Sequence, residues 1–180
     1  MNTPAHIAVN LALIGRRASP VHWWVVVAGA ILPDAAYFVD HFARGALPER
    51  TADLFNSVPL WGLVLLVASL SGTRWAVLLA ASALLHIAAD IPLHAGDAHL
   101  HFWPLTDWRF VSPVSFWDAD HHGRLVGTLE GVIFALAVAA CWGPVGRWRR
   151  AALVLLSLTY LAAFVHFVGH VWAGEHWAIW

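Results

Sequence analysis

The residues of this chain that can do chemistry are histidines and carboxylates embedded in apolar sequence. The tightest spacing is His86-Ile87-Ala88-Ala89-Asp90. Residues four apart share a helix face, so imidazole and carboxylate enter one pocket. His94 follows four residues later, just past Pro92, which places three potential ligands within nine residues. The pair Pro33-Asp34 sits inside another apolar run. A mid-helix proline deletes a backbone hydrogen bond and kinks the chain. A carboxylate beside such a break is costly in hydrocarbon unless it meets a cation or a proton, or caps the freed amides. His41, seven residues on, falls on the same face two turns later. His6, one turn before Asn10, adds a further imidazole. Imidazole and carboxylate are the ligand types that Zn²⁺ and neighbouring divalent transition metals take. His6, Asp34, His86, Asp90 and His94 are therefore the candidate ligands for one or two such ions.

Other groups are candidates for proton transfer. Glu130 lies six residues inside an apolar helix and needs a partner there. It has three readings: metal ligand, orienting group for a ligand histidine, or base. The stretch Asp118-Ala119-Asp120-His121-His122-Gly123 is dense in donors and acceptors. It reads equally as a solvated helix start with acids near the N-terminal dipole. Asp118 or Glu130 is the candidate acceptor of a proton from an attacking water. His121 or His122 is the candidate to bind phosphate or protonate a leaving group. His166 and His170, at i and i+4, read as a metal or haem pair or as interfacial decoration beside Trp172. His99 and His101 stay open as ligands. Cys141 reads as an inert buried thiol.

Six helical segments must position these groups: residues 4–15, 21–42, 58–71, 74–91, 125–142 and 149–172. Thr3 is the expected N-cap of the first, with Pro4 at its first helical position. Ile91-Pro92 closes the fourth, and Gly143-Pro144 the fifth. Residues 43–57 and 93–124 read as loops, the second long and aromatic. Crossing a bilayer takes about 20 helical residues at about 1.5 Å each. The second, fourth, fifth and sixth segments meet or approach that length, while the first and third reach only part of the way. The expectation is an all-α, polytopic membrane bundle forming one domain over residues 1–180, with four or more spans.

Composition agrees. Of 180 residues, 60% are hydrophobic and 12% charged, against about 45–50% and about 25% in soluble domains. The net charge of −1 argues against a nucleic-acid partner, and one cysteine excludes an intramolecular disulfide framework. All ten basic residues are arginine. Arg16, Arg17, Arg74, Arg147, Arg149 and Arg150 occupy three short turns without acids, which the positive-inside rule makes cytoplasmic. Arg44, Arg50, Arg109 and Arg124 share the other side with Glu49, Asp53, Asp97, Asp107, Asp118, Asp120 and Glu175. Eleven of twelve histidines fall on that second side, which would be periplasmic in a bacterial inner membrane. The twelve tryptophans read as two interfacial belts, with Trp103, Trp108 and Trp117 as alternative substrate-stacking residues.

The run His86-x3-Asp90, Gly96, Phe102-Trp103-Pro104-Leu105-Thr106-Asp107-Trp108-Arg109-Phe110, with His6 and Pro33-Asp34 upstream, resembles the membrane-bound metal-dependent hydrolases of bacterial inner membranes, of the LexA-regulated type. The resemblance covers roughly residues 3–113. One position departs from it: the family's His-Ser is Asn56-Ser57 here. A neutral amide is a poor zinc ligand, so either a ligand is lost or His41, His94 or His121 replaces it. The order of ligands is similar, more distantly, to zinc-dependent phospholipase C and the P1-type nucleases. The resemblance implies a metal-activated water acting on a lipid or lipid-linked (phospho)ester at the membrane. The alternative is a non-enzymatic membrane protein that binds metal or haem through its histidines. A third reading is a structural protein whose histidine face packs on a partner.

Overall fold

The computed structural model describes residues 1–43, 47–48, 50–143 and 145–174. Arg44, Glu49, Pro144 and Glu175, named above, lie outside the described residues, as do two of the twelve tryptophans, Trp177 and Trp180. Among the described residues seven α-helices follow one another: α1 Thr3–Asn10, α2 Pro20–Phe42, α3 Thr51–Phe55, α4 Val58–Leu70, α5 Arg74–Asp90, α6 Gly123–Cys141 and α7 Arg147–Val168. α1 runs on as a π-helical turn over Leu11–Gly15, and α7 as another over Gly169–Ala173. The protein is all-helical, with no strand among the described residues. Among the described residues four helical stretches are long and apolar enough to cross a membrane: Pro20–Phe42, Arg74–Leu93, Gly123–Cys141 and Arg147–Ala173. Thr3–Gly15 and Val58–Leu70 are apolar but shorter. These are the four long and two short segments that hydropathy and length anticipate.

Three details differ from the sequence reading. Residues 43–57 contain a helix, α3, whose five residues carry no apolar periodicity long enough to register. Tyr37 holds it to α2 by donating to Asp53 Oδ1 at 3.2 Å. The cap of α1 is Asn2, not Thr3, because the Thr3 hydroxyl is drawn away to Asp34 Oδ2 at 3.1 Å. α6 begins at Gly123, two residues early, on a left-handed His122. A Cβ at Gly123 would stand 2.5 Å from the Asp118 carbonyl, so only glycine lets that turn close. Of the tryptophans, Trp23 and Trp61 pack in the core, and Trp61 Nε1 donates to the Phe55 carbonyl at 2.6 Å.

Apart from the short α3 the helices alternate in direction. α2 runs parallel to α5, with Val26 beside Ser82 and Ala30 beside His86. α6 runs antiparallel to α7, with Gly127 beside Phe167 and Phe134 beside Tyr160. The three arginine turns therefore share one end of the bundle. Arg149 Nη2 donates across two of these turns to the Ala18 carbonyl at 3.0 Å. The outer faces of α4, α6 and α7 present Leu66, Leu70, Leu136, Leu155 and Leu158 without cover, as expected where the surrounding medium is hydrocarbon. In that medium helices associate through close packing and interhelical hydrogen bonds rather than through hydrophobic exclusion. The α1–α2–α5 core follows this rule. Ala5, Ala8, Ala30, Ala80 and Ala83 are fully buried. Gly29 lets α2 and α5 touch: a Cβ there would lie 2.4 Å from the Leu79 carbonyl and 2.7 Å from Ser82 Cβ.

A buried polar relay locks the three helices in register. Ser82 Oγ donates to the Val26 carbonyl at 2.7 Å. Asn10 Nδ2 donates to the Ser82 carbonyl at 2.7 Å and lies 2.9 Å from Ser82 Oγ. Asn10 is one turn from His6, Ser82 is one turn from His86, and Val26 is two turns from Asp34. The relay thus fixes the rotation of all three helices just below the candidate ligands.

Candidate metal centre

His6 projects from α1, Asp34 from α2 and His86 and Asp90 from α5, and His94 follows the 3-10 turn Ile91–Leu93. The fold brings all five together. His6 Nε2 lies 2.9 Å from Asp90 Oδ1. His86 Nε2 lies 3.1 Å from Asp90 Oδ2 and 3.2 Å from Asp34 Oδ1. His94 Nε2 lies 3.4 Å from Asp90 Oδ1. The His6 and His86 rings stack with centroids 3.7 Å apart. His6, His86 and Asp90 each offer a ligand atom within 4.8 Å of the others. Asp34 reaches this trio through His86, and His94 reaches it through Asp90.

Burial is close to complete. The side chains of His6 and His86 are 0% exposed and that of Asp90 3%. Asp34, at 18%, is the most open of the five. The amino group of Met1 donates to Asp90 Oδ1 at 2.7 Å. The α2 turn before Pro33 supplies a carbonyl that orients the centre: His86 Nδ1 donates to Ala30 O at 2.8 Å. That bond leaves Nε2, the other ring nitrogen, pointed between two carboxylates. A lone pair facing two anions is repulsive unless a cation or proton sits among them. A histidine that donates its far nitrogen to a backbone carbonyl is the usual posture of a metal-ligating imidazole. Buried His6 Nδ1, His86 Nε2 and His94 Nε2 have no aligned hydrogen-bond partner among the described residues. The donor set, two to three imidazoles and one or two carboxylates, suits Zn²⁺ and similar divalent ions.

The 93–124 segment roofs the centre. His94 Nδ1 pairs with Asp97 Oδ2 at 2.8 Å, the carboxylate–histidine arrangement that holds a ligand ring in place. Burial opposes charge on His94, but the Asp90 and Asp97 carboxylates outweigh it and raise its pKa to about 9. His99 lies against Tyr37, His94 and His101 with ring centroids 4.6, 5.0 and 5.7 Å away. Burial and then the neighbouring imidazoles His94 and His101 lower its pKa to about 4. His101, lowered by burial, places Nδ1 3.2 Å from the Asn56 carbonyl. The His99-x-His101 spacing was visible in the sequence, but nothing local indicated that this loop folds back over the helix ends.

Asn56 stands in the centre, fully buried, with Nδ2 donating to Asp34 Oδ1 at 3.3 Å. Of the residues considered as replacements there, only His94 reaches the cluster. His41 is exposed and packs edge-on against Phe42. His121 pairs with Asp118 Oδ2 at 2.7 Å on an open loop. Asp118 and Asp97 line one small cavity of about 260 Å³ with Trp117 and His170, and His122 caps α6. Glu130 lies apart from the imidazoles. Its carboxylate accepts from the Asn2 backbone N–H (3.2 Å), Asn2 Nδ2 (2.8 Å) and the Tyr160 hydroxyl (3.3 Å). That arrangement ties α6 and α7 to the start of α1. His166 and His170 pack on Trp117, at centroid distances of 5.4 and 4.5 Å. Thr3, Asn10 and Ser82 were missed by the sequence reading, because hydroxyls and amides inside apolar helices have no distinctive spacing. No family model, curated protein or solved structure matches the chain, so its function has to be read from this geometry.

Proposed function

We propose that the protein is a metal-dependent hydrolase of a bacterial inner membrane, acting on a lipid or lipid-linked (phospho)ester at the periplasmic surface. The observation that carries this reading is His86. Its Nδ1 is committed to the Ala30 carbonyl, and its Nε2 faces Asp34 and Asp90 at 3.2 and 3.1 Å. His6, His86 and Asp90 would hold the ion, with Asp34 and His94 completing its surroundings. A bound Zn²⁺ lowers the pKa of water toward about 7 and so supplies a nucleophile at neutral pH.

The chain's own residues do the rest. Asp97 fixes the His94 ring at the rim. Asn56 and Thr3 hold the two oxygens of Asp34. The buried walls of α1 and α5 exclude bulk water. Asp118 lines the small cavity shared with Asp97, through which it and its partner His121 would pass protons. Glu130, with three donors already on its carboxylate, acts in this proposal as a brace for α1. The arginine turns support a periplasmic placement of the site, and the resemblance of residues 3–113 to membrane-bound metal-dependent hydrolases points the same way.

The test is metal analysis of purified protein together with turnover of a chromogenic phosphodiester in detergent. Zinc or a similar ion is expected, with stoichiometry falling in His86→Ala and Asp90→Ala, and turnover lost to chelator. Full metal retention in both variants would end the reading. Metal binding without chelator-sensitive turnover would leave a metal carrier.

A further inference from the structure

A groove of about 740 Å³ opens on the side of the bundle between α2 and α7, with α1 as its floor. Its α2 wall includes Trp24, Val27, Ile31 and Phe38, which share one helix face; Ala152 and Ala163 lie on the α7 wall. The gap exists because α1 is short and α7 presents small residues. Both walls belong to helices apolar enough to cross a membrane, so the groove faces hydrocarbon. From Trp24 to Phe38 is 14 residues, or about 21 Å of helix. One leaflet of the hydrocarbon core is about 15 Å deep. The groove is therefore longer than a leaflet and narrow in cross-section.

Its polarity is one-sided. Asn2, Thr3, Trp117 and His166 line the end near the histidines, and the rest is almost wholly apolar. At that end Thr3 is both a wall of the groove and the donor to Asp34 Oδ2 at 3.1 Å. Asp34 is the most open member of the candidate centre. One side chain thus separates an apolar slot from the accessible edge of the metal centre.

We propose that this groove seats one long acyl chain of a membrane lipid, entering sideways from the periplasmic leaflet. The polar ester of that lipid would rest at Thr3 and Asp34. The inference rests on the proposed hydrolase reading for what happens at the ester, but the seat itself is a binding site that can be tested alone. It also sets preference: a lipid with a long, unbranched chain is held by the slot, whereas an ester without one still reaches the centre but binds more weakly and turns over with a higher KM.

The experiment uses the full chain in nanodiscs of phosphatidylethanolamine and phosphatidylglycerol. A trace of phosphatidylglycerol carries a photoactivatable diazirine near the end of one acyl chain. Adducts are mapped by peptide mass spectrometry, and zinc content is measured on the same sample. Adducts are expected to concentrate on α2 around Val27–Ile31 and on α7 around Ala152–Leu156. They should fall several-fold in both Ala152→Trp and Ala163→Trp, which fill the slot from opposite ends. Leu66 and Leu70 on the outer face of α4 report ordinary surrounding lipid. Labelling of α4 equal to that of the groove, or labelling unchanged in both tryptophan variants, overturns the proposal. So does cross-linking of two copies of the chain through the groove. Zinc present with no groove labelling defeats the seat alone. Groove labelling without zinc defeats the hydrolase reading and leaves the seat standing.

Discussion

Asp34→Asn separates a metal centre from a hydrogen-bonded polar cluster, because the two make opposite predictions. The substitution is isosteric, so it opens no cavity. Without an ion, the structure absorbs it. With one carboxylate gone His86 can release the proton it shares with Asp34 and Asp90, and the new amide NH₂, at the Oδ1 position, then donates to Nε2 across 3.2 Å. The Asn56 amide can turn over, and its Oδ1, which has no partner now, would accept in place of the lost Nδ2 donation. The Thr3 hydroxyl keeps a carbonyl oxygen at the Oδ2 position. No hydrogen bond is lost on balance, and since each is worth about 0.5–1.5 kcal/mol net, the metal-free variant should melt within about 1 kcal/mol of the parent. With an ion, one anionic oxygen is gone. Loss of a supporting partner typically lowers metal affinity about 10–100-fold, which is about 1.4–2.8 kcal/mol. For a chain of this size that removes roughly 3–11 °C of zinc-induced thermal shift. The assay is thermal unfolding in detergent, before and after chelation, across a zinc titration. An unaltered zinc shift in Asp34→Asn would falsify the metal assignment at this residue. A large loss of stability without zinc would show that the Asp34 charge is needed for folding itself.

Four further outcomes follow from the geometry. Gly29→Ala drives a Cβ to 2.4 Å from the Leu79 carbonyl; it should cost about 1–3 kcal/mol and reduce bound zinc by shifting α5 away from α2, read by melting and metal content together. Glu130→Ala strands the Asn2 and Tyr160 donors and should cost about 1–3 kcal/mol; zinc stoichiometry should stay unchanged, and a loss of zinc would return Glu130 to the ligand set. The folded pKa of His94, about 9, lies above its ordinary 6.5. Its stabilising contribution is therefore whole below pH 6.5 and is lost as pH rises through about 9, so chelated protein should melt progressively lower from pH 7 to 10. His94→Gln should flatten that decline, and an equal slope in the variant refutes the assignment. Asp97→Ala should shift the same decline toward lower pH, because one of the two carboxylates that favour charged His94 is removed.

Much of this protein was legible in its sequence, and the reasons are local. Hydropathy and length marked the four long helices and the two short ones, since a helix in hydrocarbon must be apolar along its whole length. The arginines marked the turns. His86-x3-Asp90 announced its own face, because i and i+4 always meet on a helix. The gathering of His6, Asp34 and His94 around that pair is a tertiary event. It depends on Gly29 letting α2 and α5 touch and on Asn10 and Ser82 fixing the rotation of α1 and α5. Glu130 shows the limit most clearly. Its position inside an apolar helix demanded a partner, but whether that partner was an ion, an imidazole or the start of α1 was settled by where α6 packs. Asn56 reads as a missing ligand by residue type, yet its amide lies against Asp34. The α2–α7 groove has no sequence signature, because it is a gap left by the short α1 and a few alanines. Spacing within one helix dictates which side chains share a face; only packing between helices decides which faces share a site.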